Sequence, residues 1–159
     1  MSRQKISDAL VGCLEIPIFI KGGIDRFENT AKAARFSFIV PVVLLPFGAY
    51  LAQINPEFNG RSLINLLIIF AVKFGLFSVL YLGAVFIFVK QFDRHQFFYQ
   101  FVNAQNWMIL VQLVILLPVL LGVQAGRWPW EDIYNFQVFL IVYSYVFMAF
   151  LITCMFRIN

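Results

Sequence analysis

The chain has 159 residues, 62% of them hydrophobic and only 13% charged, with a mean hydropathy of +0.83 and a formal net charge of +4. Soluble domains run at about 45–50% apolar and about 25% charged, so an ordinary soluble fold is excluded and one compact integral membrane domain is expected. The positive charge sits mostly beside apolar stretches, and 20 aromatics are Phe; both fit membrane orientation and attraction to anionic lipid headgroups, with no nucleic-acid partner.

Residues 1–35 read as a cytoplasmic or interfacial helical segment. Arg3 and Lys5 precede an apolar stretch, as in a signal peptide. Asp8 and Glu15 interrupt that stretch, and Lys21-Gly22-Gly23 follows with no small-x-small site, so cleavage is not expected. From Ile6 to Ile16 the period is helical, with Ile6, Leu10, Cys13 and Leu14 on one face and Asp8 and Glu15 opposite. That is the pattern of an amphipathic helix lying in the membrane interface. Pro17 stops or kinks it, and the following apolar run is too short to span. Gly22-Gly23 forms a hinge. Asp25 to Arg35 reads as a second short helix, capped by Asp25, with Glu28 folding back on the cap and pairing with Lys32. Arg26, Lys32 and Arg35 make this helix basic, either as a lipid-headgroup or partner contact or as a topology signal on a solvated face.

The fold class that follows is all-α, a four-helix transmembrane bundle over residues 36–159. The first span, 36–54, contains Pro41 and Pro46, and a kink is expected near Pro46. A breaker-rich turn, 55–62, leads to the second span, 63–90. This run has transmembrane length and a single charge, Lys73, about 15 Å in from Leu63 at ~1.5 Å rise per residue. An intramembrane charge is costly and marks a bundle interior or a wet cavity. At 100° per residue Ala71, Gly75 and Ser78 form a small-residue stripe opposite Lys73, a surface for close helix packing. One face packs and the other needs polar company, so the second span is expected at the bundle centre.

A polar connection, 91–96, holds the single histidine, His95, read as an interfacial loop residue. The third span, 97–123, begins with polar residues. Tyr99, Asn103 and Asn106 share one side with Gln100 at its edge, while Gln105 and Gln112 lie nearly opposite, which predicts two helical neighbours. Asn106 matches Lys73 in depth, so Lys73, Asn103, Gln105, Asn106 and Gln137 form a candidate midplane cluster. It serves either as interhelical glue, chiefly tying the second span to the third, or as the lining of a solute path. Pro118 is expected to bend the far end of this span. Trp128 and Trp130 read as interfacial belt residues, and Glu131 and Asp132 as caps of the fourth span, 133–156. There Gln137, Ser144 and Met148 share a stripe expected to face the bundle.

Four spans place the N-terminus, the 91–96 connection and the C-terminus on one side. That side carries nine basic residues, Arg3, Lys5, Lys21, Arg26, Lys32, Arg35, Lys90, Arg94 and Arg157, against Arg61 and Arg127 on the other. The asymmetry predicts cytoplasmic termini. Cys13 and Cys154 lack metal or redox spacing and read as buried or interfacial thiols, with no disulfide expected. No GxSxG, HExxH, paired Asp or Cys/His set is present, so neither an enzyme nor a metal or other cofactor is implied.

The run GGIDRFENTAKAARFSFIVPVVLLPFGAYL, followed by QFFYQFVNAQNWMILVQLVILLP with its Asn106-Trp107 pair, resembles small bacterial membrane proteins with a Yip1-like domain. Members of that family usually have five spans; this chain has four. The resemblance implies a non-enzymatic protein of the bacterial inner membrane acting through protein or lipid contacts. Two functions are consistent with the residues. One is an accessory or structural subunit that packs within a larger complex or organises membrane. The other is a small oligomeric channel or transporter for an anion or neutral solute around Lys73, since no carboxylate lies within a span.

Overall fold

The computed structural model describes residues 6–53, 55–58 and 60–157, and only the backbone of Pro56, Trp130 and Asp132. The basic residues Arg3 and Lys5, the span end at Ile54, the Trp130 belt position and the Asp132 cap lie outside the described residues or side chains. Among the described residues seven α-helices follow one another: α1 Ile6–Glu15, α2 Gly22–Asp25, α3 Ala31–Ser37, α4 Ile39–Ala52, α5 Leu63–Gln91, α6 Phe98–Gln124 and α7 Trp130–Phe156. Single 3-10 turns occupy Pro56–Phe58 and His95–Phe97.

Four segments are long and apolar enough to cross a membrane: Ala31–Ala52, Leu63–Gln91, His95–Gln124 and Ile133–Phe156. The chain is a four-span helical bundle. Its first span is broken between α3 and α4 at Phe38, upstream of the expected site, while α4 runs on through Pro46. The cause is Pro41, whose ring would clash with the carbonyl four residues earlier, at Ser37, in a continuous helix and which sits instead in the first turn of α4.

The helix ends are built from local chemistry. Ser62 Oγ accepts from Asn65 N at 3.2 Å and caps α5. Asp93, at φ 54°, ends α5 in a Schellman turn with Arg94 N bonded to Val89 O and Asp93 N to Lys90 O. Gly126, at φ 67°, closes α6 in the same way, with Arg127 N bonded to Gly122 O. Trp128 lies against the bare Cα of Gly122, so this aromatic locks the turn.

The predicted helix over 25–35 does not form. Phe27 is buried beneath α1, the chain turns over 26–29, and Thr30 caps a separate helix by accepting from Ala33 N at 3.2 Å. Glu28 therefore lies outside any helix, and the i,i+4 geometry with Lys32 is lost. Gly23 is a contact point, not a hinge. A Cβ there would come within 2.8 Å of Glu15 Cβ, and one on Gly12 within 2.6 Å of the Phe27 ring. Two glycines let α1 and the 23–27 turn lie backbone to backbone.

The centre of the molecule is α6, not α5. Phe101, Ala104, Trp107 and Met108 of α6 join Ala9 and Cys13 of α1, Ile16, Ile24, Phe27, Val40, and Phe147, Leu151, Met155 and Phe156 of α7 in the main core. A smaller cluster of Leu51, Leu120 and Ile133 closes the opposite end. Only Leu66, Val85 and Val89 of α5 are buried. Bulky aliphatic side chains can face lipid without penalty, so their abundance in α5 did not earmark it for the interior.

Candidate functional site

The polar residues predicted to matter divide into a buried seam and an exposed lysine. The seam follows from the broken N-terminal segment. Where residues 26–29 leave helical geometry, backbone groups lose intrahelical partners, and in an apolar setting each must be satisfied. One face of α6 and the turn before it supply the partners. Asn29 Nδ2 donates to Gln96 O at 2.8 Å, while Asn29 Oδ1 accepts from Gln100 N at 3.1 Å. Gln100 Nε2 donates to Ile24 O at 3.0 Å and Asn103 Nδ2 to Glu28 O at 3.1 Å. One turn deeper, Asn106 Nδ2 donates to Ser37 Oγ at 2.9 Å, and that hydroxyl in turn donates to Ala34 O at 2.7 Å.

A second connection comes from α7. Tyr143 OH donates to Pro17 O at 2.6 Å. Tyr143 is ~20 Å from the end of α7 at Phe156 by helical rise, so the 16–20 turn reaches down the side of the bundle. Beside it Phe19, at φ 61°, sets its ring edge-on to Phe150 at 5.3 Å. Gln112 Nε2 donates to Ser144 Oγ at 3.1 Å, bridging α6 and α7. The two polar sides of α6 thus serve two sets of neighbours. Gln105 is half-buried with Oε1 unbonded, and Gln137 is half-buried two turns before Ser144.

Lys73 is not part of this seam. It is exposed on α5, whereas Asn103 and Asn106 are buried under the N-terminal segment, so the midplane cluster does not assemble. Its neighbours along the helix, Leu76, Phe77 and Leu80, are 60%, 74% and 63% exposed. Among the described residues Lys73 makes no hydrogen bond or ion pair. The stripe of Ala71, Gly75 and Ser78 is no interior contact either. Ala71 and Gly75 are exposed, Ser78 is half-buried, and a Cβ on Gly75 would meet nothing within 4 Å. Lys73 ties no pair of spans together, because amides of α6 and backbone carbonyls of residues 24–29 satisfy one another instead.

The basic trio also splits. Arg26 grips Glu15 through both Nε and Nη2, each at 2.6 Å, and fastens the 23–27 turn to α1. Hydrogen bonding from Arg26 holds the Glu15 carboxyl below its ordinary value, against an opposing desolvation cost. Lys32 and Arg35 stay exposed. The predicted apolar face of α1 divides as well: Cys13 is buried in the core, while Ile6, Leu10 and Leu14 are exposed. Clefts lie at span ends, one of about 390 Å³ by Arg61, Asn65, Ile68 and Ile69, another of about 320 Å³ by Lys21, Asp25, Thr153 and Arg157. Among the described residues no set of three His, Cys, Asp or Glu side chains converges on a metal position.

Ser37, Asn29 and Tyr143 escaped the sequence reading. The one available signal was Thr30, a cap residue before Ala31 that competes with the capping-box pattern at Asp25. The fold defines a multi-pass helical membrane protein. No family model, curated protein or solved structure matches the chain.

Proposed function

We propose that this protein is a non-catalytic accessory or structural subunit that packs within a larger complex of the bacterial cytoplasmic membrane, with both termini cytoplasmic. The observation that carries the reading is Lys73, exposed at mid-span on the uncovered side of α5. A lysine at the centre of a span costs about 2.5–3.5 kcal/mol on insertion scales, and such residues face protein or water rather than lipid. Among the described residues no neighbour covers Lys73, so a neighbour from outside does. The resemblance to Yip1-like proteins points to the same class of role, and the basic face formed with Lys32 and Arg35 suits anionic headgroups.

The amides of α6 favour this reading over a solute path, because Asn103 and Asn106 are committed to backbone and Ser37 and hold the N-terminal segment in place. The test is purification from native membranes in mild detergent, followed by mass spectrometry of co-purifying proteins. A stable complex that dissociates in Lys73→Met is the expected result. Recovery as a free monomer, with anion or solute flux in reconstituted vesicles that Lys73→Met abolishes, would reject it.

A further inference from the structure

We infer that the Lys73 face of α5 receives a transmembrane helix of a different protein that carries an aspartate or glutamate at mid-depth. This rests on the accessory-subunit reading and names the chemistry of the partner. Lys73 lies about 15 Å from the start of α5, further than its four-carbon stem reaches toward the headgroups. The side chains flanking it on the outward face, Leu76, Phe77 and Leu80, are all apolar and exposed. They offer grip to a helix but no polar group.

The partner is not a second copy. None of the four spans, 31–52, 63–91, 95–124 and 133–156, contains an Asp or Glu. A hydroxyl or amide from a second copy would leave one net positive charge in lipid, whereas a carboxylate removes it. Charge complementarity therefore selects a heteromeric contact.

Two probes in native membranes test this. A photo-crosslinking phenylalanine analogue at Leu76 reports what covers the face. A membrane-permeant carbodiimide condenses an amine with a carboxylate, taking up the water as a urea and leaving an amide. The expected product is a Lys73 peptide joined through its Nζ to an Asp or Glu in a transmembrane segment of another protein. Recovery of that protein should fall at least about tenfold in Lys73→Met and persist in Lys73→Arg. Slow alkylation of Cys13 in each variant verifies the fold.

Photo-crosslinking through Leu76 to another protein without the Lys73 amide overturns the carboxylate assignment and leaves the accessory role standing. Crosslinking only to a second copy overturns the heteromeric assignment. With no protein crosslinked at Leu76 and only free monomer recovered, both fall.

Discussion

A buried amide in an apolar helix is tolerated only where its hydrogen bonds are made, and Asn106 makes its bond to Ser37 Oγ. Hydrogen bonds between membrane helices are worth ~0.6–1.7 kcal/mol, so Asn106→Leu should destabilise the isolated protein by about 1 kcal/mol in detergent-induced unfolding. Ser37→Ala should cost at least as much, because it strands the amide. A double-mutant cycle with a coupling energy near zero would remove the bond from the stability of the fold. Cys13 is a second residue-scale probe. Burial in the core pushes its thiol up from 9.0 to about 12. Because the folded value is the higher one, its contribution to stability is complete below pH 9 and is lost as pH rises toward 12. At pH 8 the thiolate population is lower by a factor on the order of a thousand than in the unfolded chain. Maleimide labelling of Cys13, read in a Cys154→Ala background because Cys154 is only half-buried, should therefore be very slow until α1 detaches; rapid labelling there would place Cys13 outside the core.

At the scale of elements, α1 and the 23–27 turn act as one unit held by two glycines and one ion pair. Gly12→Val puts methyl groups into the Phe27 ring and the Gly23 carbonyl, and overpacking of this kind costs about 1–3 kcal/mol. It should raise the Cys13 labelling rate without unfolding α5 to α7, as read by circular dichroism. The Glu15 carboxyl is lowered in the folded state, so its contribution is present at neutral pH and is lost as pH falls below about 4.5. Amides of residues 6–27 should exchange faster there in the wild type, and Glu15→Gln should remove that pH step. The span boundaries were legible in the sequence: 63–90, 97–123 and 133–156 fall within a few residues of α5, α6 and α7, because a one-dimensional apolar run suffices to mark them. The break at Phe38 and the turn over 26–29 were not. The first depends on Pro41 against Ser37, the second on Phe27 finding a place between Gly12 and α6, and neither contact is encoded locally.

At the scale of the whole molecule, the order of the spans in space was the least legible property. Apolar residues surround α5 on every side, the stripe of Ala71, Gly75 and Ser78 gave a false direction to the interior, and Lys73 was the one charged mark near its middle. That mark pointed outward. The carbonyls of Ile24 and Glu28 and the α6 amides instead made α6 the centre, leaving a charge on the remaining edge helix. A residue kept for an external contact has a signature opposite to one that holds the fold. Lys73 makes no hydrogen bond or ion pair with the described residues, so replacing it with methionine removes no internal interaction and relieves the cost of exposing a charge to lipid. Isolated Lys73→Met should therefore resist detergent unfolding as well as the wild type or better, while native gels of solubilised membranes show its complex lost. Were Lys73 instead the tie between the second and third spans, the variant would unfold more readily and its complex would weaken only in proportion. Measuring both quantities on one preparation separates the two roles, because they predict stability changes of opposite sign.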